Sequence, residues 1–133
     1  MSLDQVAPIR AALMARRAAP APPVDAPLPP DITATRVQLS EHCSALLCGV
    51  EDASKERVLL WLHGGAFILG SSESYQPMAA RLSRAADAQV LVPDYRLAPE
   101  HCFPAPVEDT LAAHAWLEAK GYAPEAIAIG GDS

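Results

Sequence analysis

Ala126-Ile127-Ala128-Ile129-Gly130-Gly131-Asp132-Ser133, the last eight residues of a 133-residue chain, decide how the rest is read. A short apolar run ending in two glycines and then Asp-Ser predicts a strand, Ala126 to Ile129, that feeds the first three residues of a G-x-S-x-G turn. Such a turn passes from strand to helix so sharply that glycines must flank the serine, and its tightness lifts the hydroxyl above the sheet. Ser133 is therefore the candidate nucleophile, and the upstream chain is read for what it builds around that hydroxyl.

Working back, Ala88 to Pro93 is an apolar run followed by the loop Asp94-Tyr95-Arg96-Leu97-Ala98-Pro99-Glu100. Val58-Leu59-Leu60-Trp61-Leu62 is apolar without alternation, as a strand covered on both faces should be, and runs straight into His63-Gly64-Gly65-Ala66-Phe67. Two helical stretches separate these strands. Ser74 to Ala86 carries Met78, Leu82 and Ala85 on one face, with Pro77 tolerated in its first turn. Pro106 to Lys120 carries Val107, Leu111 and Ala115 four apart, and Gly121 is placed to end it. Earlier still, Ile32 to Leu39 alternates and Ala45 to Val50 is a second strand candidate; the short polar Ser40 to Ser44 between them predicts an antiparallel pair. Strand, helix, strand, helix, strand after such a pair predicts an α/β fold: a mostly parallel sheet with an antiparallel first strand pair and flanking helices. Ligands of these sheets collect at the carboxyl ends of the strands, where both glycine motifs fall.

Residues 1–30 read as a separate cap-like region, and residues 31–133 as the core. Ser2 to Arg17 spaces Leu3, Val6, Ile9 and Leu13 as an amphipathic helix, which Pro8 should kink or restart; a clamp on the body and a lid over a cleft share that pattern. Six of the twelve residues from Ala19 to Pro30 are proline, which predicts an extended linker.

Composition narrows the functional classes. Ten Lys and Arg against sixteen Asp and Glu give a net charge of -6 with no basic run, which argues against a nucleic-acid partner. Three cysteines, Cys43, Cys48 and Cys102, form no C-x-x-C pair, so neither a disulfide framework nor a zinc cluster is expected, and a reducing, cytoplasmic setting fits. The longest uncharged apolar stretch, Val58 to Ser72, holds His63 and three glycines and is too short to span a bilayer.

Four blocks then occur in order: His63-Gly64-Gly65-Ala66-Phe67, Tyr95-Arg96-Leu97-Ala98-Pro99-Glu100-His101, Phe103-Pro104-Ala105-Pro106-Val107-Glu108-Asp109 and Gly131-Asp132-Ser133. Over roughly residues 32 to 133 the chain resembles the hormone-sensitive-lipase-like family of α/β-hydrolases, the bacterial family IV esterases. The resemblance implies a carboxylic ester hydrolase working through an acyl-enzyme on Ser133, with no metal or organic cofactor and a small-molecule ester as substrate. It also implies short to medium acyl groups and a homodimer in the whole protein. A non-catalytic small-ligand binder of the same fold is the alternative.

Independently of the family, ester hydrolysis through serine passes through an oxyanion, and backbone N–H groups preset to receive that charge help most. Glycines after a strand let an N–H turn inward, so Gly64, Gly65 and Ala66 are the candidate oxyanion donors. Ala66 stands where a third glycine is commoner, and is tolerable if it keeps a negative φ. The resemblance makes His63 a loop-holding residue; Asp132 on so sharp a turn braces the elbow. In chain order the triad acid and histidine follow the serine, so this chain reads as the N-terminal part of a longer enzyme, inactive alone, with its last strand an apolar edge. Arg96 is expected to pair with Glu100 or Asp109, Trp61 and Trp116 to pack in the core, and His114 to be half-buried on its helix.

Overall fold

The computed structural model describes residues 7–8, 11–12, 14–15, 29–51, 53–54 and 56–132. The described positions between 7 and 15 are helical, while most of the proline-rich linker, and Ser133, lie outside the described residues.

From residue 32 onward the elements are β1 (Ile32–Gln38), β2 (Ser44–Val50), β3 (Val58–Leu62), α1 (Ser72–Ala86), β4 (Gln89–Pro93), α2 (Ala105–Ala119), a 3-10 turn (Pro124–Ala126) and β5 (Ile127–Gly131). They form one sheet in the order β1-β2-β4-β3-β5. The expected antiparallel pair is present, with Ile32 opposite Val50 and Gln38 opposite Ser44. β2 also pairs antiparallel with β4, whereas β3 is parallel to both β4 and β5. The sheet is thus mixed, and the three parallel strands at its β5 side all end on one edge.

Alternation along each strand splits the core in two. On one face Ile32, Cys48, Val90 and Val92 meet Ala79 and Ala80 of α1, with Leu59 and Trp61 packed beside them. On the other, Ala45, Val58, Leu60 and Leu91 meet Ala113 and Leu117 of α2, with Trp116 alongside. β3 is thereby covered on both faces, which is why its sequence shows no polar alternation.

Both helices differ from their expected packing. α1 starts at Ser72, because Ser71 caps it: the Ser71 hydroxyl accepts the Ser74 N–H at 3.3 Å, and the Ser74 hydroxyl accepts the Ser71 N–H in return, also at 3.3 Å. Pro77 therefore lies inside the helix, past its first turn. The buried positions of α1 are Ser72, Ala79, Ala80 and Ser83, small residues that let the helix sit close to β2 and β4, while Met78 and Leu82 lie at the margin and Ala85 is exposed.

In α2 the spacing of four holds but on a different face. Ala105, Asp109, Ala113 and Leu117 are buried, whereas Val107 and Leu111 are 44% and 64% exposed and Ala115 is exposed too. An alanine-rich helix offers the same period on several faces, and a buried aspartate disguises the right one. α2 ends in a Schellman motif: the Gly121 N–H reaches the Glu118 carbonyl at 2.9 Å and the Tyr122 N–H the Leu117 carbonyl at 3.2 Å, with Gly121 at φ 96°.

Candidate active site

The ends of β3, β4 and β5 bring His63, Asp94, Tyr95 and Asp132 to one edge of the sheet. Here the loop 63–70 folds back on itself. The Ile68 and Leu69 N–H groups both reach the Gly65 carbonyl, at 2.9 and 3.0 Å, and the two residues enclosed, Ala66 and Phe67, take φ of 54° and 59°. Two successive left-handed residues make a turn of the I′ kind. The negative φ expected for Ala66 is thus not what the turn adopts; its closure on Gly65 dictates the left-handed backbone. Gly65 is itself at φ 129°, and a Cβ there would lie 2.2 Å from the Leu69 oxygen, so no other residue fits without moving the loop.

Asp132 ties this loop to the end of β5. Its Oδ1 accepts the Gly64 N–H at 2.8 Å and its Oδ2 accepts the Tyr75 hydroxyl at 2.6 Å, while the Gly64 N–H is shared with the Tyr75 oxygen at 3.1 Å. Both carboxylate oxygens are therefore engaged in holding backbone and helix. Gly131 permits the approach, since a Cβ there would stand 2.7 Å from the Leu62 carbonyl oxygen of β3.

These bonds separate the three expected oxyanion donors. Gly64 spends its N–H on Asp132 and Tyr75, whereas the N–H groups of Gly65 and Ala66 donate to no acceptor among the described residues.

His63 is buried. Its Nδ1 lies 3.0 Å from the Gly64 carbonyl, and its ring stacks on Tyr95 with centroids 4.3 Å apart. The Tyr95 hydroxyl donates to the His63 carbonyl oxygen, and burial pushes that phenol up to about 12, so it is a fixed neutral donor. Burial first, then the Asp132 hydrogen bond, raises Tyr75 as well.

The loop after β4 is fixed by Asp109, one of the two partners expected for Arg96. Its carboxylate accepts the Arg96 N–H at 2.7 Å and the guanidinium Nε at 2.9 Å, and Glu108 takes the guanidinium at 3.1 Å. The remaining histidines stand apart from these bonds: His114 faces Glu118 at 3.3 Å, one turn along α2, and His42 and His101 are exposed.

A cleft of about 460 Å³ opens over the loop, lined by Leu62, His63, Ala66, Phe67, Tyr95 and Asp132 among others. A larger one of about 650 Å³ lies at the opposite edge, beside Val50, Gln89, Trp116 and Tyr122, with none of the candidate residues. Among the described residues no group of His, Cys, Asp and Glu is arranged to hold a metal, and no helix is long and apolar enough to cross a membrane.

Sequence reasoning singled out His63 to Ala66 and Asp132, and quoted Tyr95 only as part of a motif. It passed over Tyr75, which no local pattern marks: a tyrosine in the first turn of a helix is unremarkable until the helix is placed.

The geometry has counterparts. The profile of the alpha/beta hydrolase fold matches residues 59–133. The carboxylesterase/phospholipase LipF of Mycobacterium tuberculosis is 44% identical over 77 residues, 58% of this chain and 21% of LipF's own length. An acetyl-hydrolase of Streptomyces hygroscopicus is 43% identical over 93 residues, 69% of this chain and 30% of that protein. Among solved structures, an esterase from the bacterial hormone-sensitive lipase family superposes with a TM-score of 0.76 at 37% identity, covering 100% of this chain and 48% of that one. The chain thus spans about half the length of that solved relative. The family match covers more than half of the chain and the fold superposes on that esterase, so the chain belongs to the alpha/beta-hydrolase fold family.

Proposed function

We propose that the full-length protein carrying this chain is a serine carboxylic ester hydrolase that cleaves small esters through an acyl-enzyme on Ser133. The observation that carries the reading is the pair of N–H groups on Gly65 and Ala66 that meet no acceptor among the described residues, in a loop whose neighbour Gly64 is bonded to the residue just before Ser133. A serine oxygen attacking an ester carbonyl breaks the bond to the alcohol, which leaves with a proton, and water then releases the acid. The negative oxygen formed on the way needs donors that are already in place and not otherwise spent. Gly65 and Ala66 meet that requirement, so the donor set narrows from three residues to these two.

His63 is buried with its ring stacked on Tyr95, so it is read as the residue that holds the loop, and the general base is assigned elsewhere. By the family's chain order, in which acid and histidine follow the serine, the base belongs to a later segment of the full-length protein, and the 133-residue polypeptide alone is expected to give no turnover. The test is p-nitrophenyl butyrate hydrolysis by the full-length protein. Activity above background that drops at least about a thousandfold in Ser133→Ala is expected; tight binding of the ester without cleavage would favour a non-catalytic ligand-binding role.

A further inference from the structure

We propose that Tyr75 is a positioning residue, whose hydroxyl locks the oxyanion loop and the nucleophile elbow into one register by bridging Gly64 and Asp132. The inference rests on the serine-hydrolase reading and deepens it.

The hydroxyl does two things at once. It accepts the Gly64 N–H at 3.1 Å and donates to Asp132 Oδ2 at 2.6 Å, closing a three-membered circuit with the 2.8 Å bond from Gly64 to Asp132 Oδ1. Gly64 sits one residue before the N–H groups of Gly65 and Ala66, and Asp132 one residue before the nucleophile. The two chain segments are thus joined directly by the Gly64–Asp132 bond, and the tyrosine oxygen ties both of them to α1.

That oxygen is worth using as a reference because the helix bearing it is itself fixed. Asp94, at the end of β4, accepts the Ser72 N–H at 2.7 Å and the Ser72 hydroxyl at 2.8 Å, pinning the start of α1 to the sheet. Arg36 of β1 holds the same carboxylate at 2.6 Å. Tyr75 follows Ser72 by three residues, so it hangs from the pinned turn, and its ring packs against the α1-side core. A tether from a rigid element is what a site built on loops requires, since small misplacements of donors cost rate far more than they cost binding.

Tyr75→Phe keeps the ring and removes the bridge. In the full-length protein we expect kcat with p-nitrophenyl butyrate to fall about tenfold while KM stays within about twofold, and a boronic acid mimicking the tetrahedral state to bind weaker by the same factor as kcat. Gly64 amide exchange, read by NMR, should quicken several-fold, a change that requires no catalysis. Asp132→Asn cannot accept the tyrosine proton as a carboxylate does, so the double variant should lose little more than the worse single one. Unchanged kcat and unchanged Gly64 exchange in Tyr75→Phe overturn the proposal, as does a KM rise that accounts for the whole loss or strict additivity in the double variant. A wild type with no esterase activity sinks the hydrolase reading instead, and Gly64 exchange still decides the bridge.

Discussion

At the scale of single residues, the loop 63–70 is held at a conformational cost that the surrounding turn imposes. Ala66 and Phe67 both adopt the left-handed region, which disfavours side chains by roughly 1–2 kcal/mol per residue. Ala66→Gly should therefore stabilise the fold by about 0.5–1 kcal/mol after the extra chain entropy of glycine is deducted. Gly65→Ala should destabilise it by about 2 kcal/mol or more, because its Cβ meets the Leu69 oxygen. Urea titrations of the two variants check both signs. The glycines were legible in the sequence as a loop that exposes N–H groups. The sign of φ at Ala66 was not, because it depends on the closure of Ile68 and Leu69 onto Gly65, which no residue type announces.

A second residue-scale consequence concerns pH. Cys43 is fully buried; burial first, then the Asp109 and Asp94 carboxylates, push its thiol from 9.0 up to about 12. Between those values the unfolded chain has released a proton that the folded chain keeps, so stability is complete below about pH 9 and falls as pH rises through the window. Tyr95 adds the same sign from its ordinary value of 10.0 upward. Burial raises the Cys48 thiol from 9.0 as well, so urea midpoints measured from pH 8 to 11 should fall steadily above 9, and Cys43→Ala should make that fall shallower without abolishing it.

At the scale of elements, α2 shows why period alone does not pick a face. Its buried stripe runs through Asp109, only 2% exposed, which a reading by hydrophobicity rejects in favour of Val107 and Leu111. The sequence does contain the remedy, in Arg96 thirteen residues earlier, but only the folded loop brings its backbone N–H and guanidinium onto that carboxylate. Asp109→Ala leaves a guanidinium without its buried partner and should cost about 3 kcal/mol, against less than about 1 kcal/mol for Glu108→Ala at the exposed end of the network. Leu117→Ala should cost about 2–5 kcal/mol, and Leu111→Ala well under 1 kcal/mol. If Leu111 proves the costlier of the two in thermal or urea melts, the assignment of faces is wrong. α1 teaches a smaller lesson of the same kind: Ser71 and Ser74 form a capping box two residues earlier than the apolar pattern suggested, which leaves Pro77 inside the helix.

At the scale of the whole molecule, the parallel trio β4-β3-β5 delivers three loops to one edge, and the site follows from that convergence. This much was readable from sequence, because uninterrupted apolar runs followed by glycine or polar loops mark buried strands and their carboxyl ends. Strand order and the pairing of β2 with β4 were not, since β2 meets β4, and β3 meets β5, only across long intervening stretches of chain. The link from α1 through Tyr75 to Gly64 and Asp132 belongs to the same category: its three members lie at positions 64, 75 and 132 and meet only after the sheet has assembled.

The proposed function stands or falls with Ser133 as the activated nucleophile of the full-length protein. Treatment with one equivalent of an alkyl fluorophosphonate, followed by peptide mass mapping, tests it without any assumption about the natural ester. A single adduct on Ser133 is expected, with loss of esterase activity in proportion to labelling; an adduct on any other residue, or full activity with Ser133 modified, rules this nucleophile out.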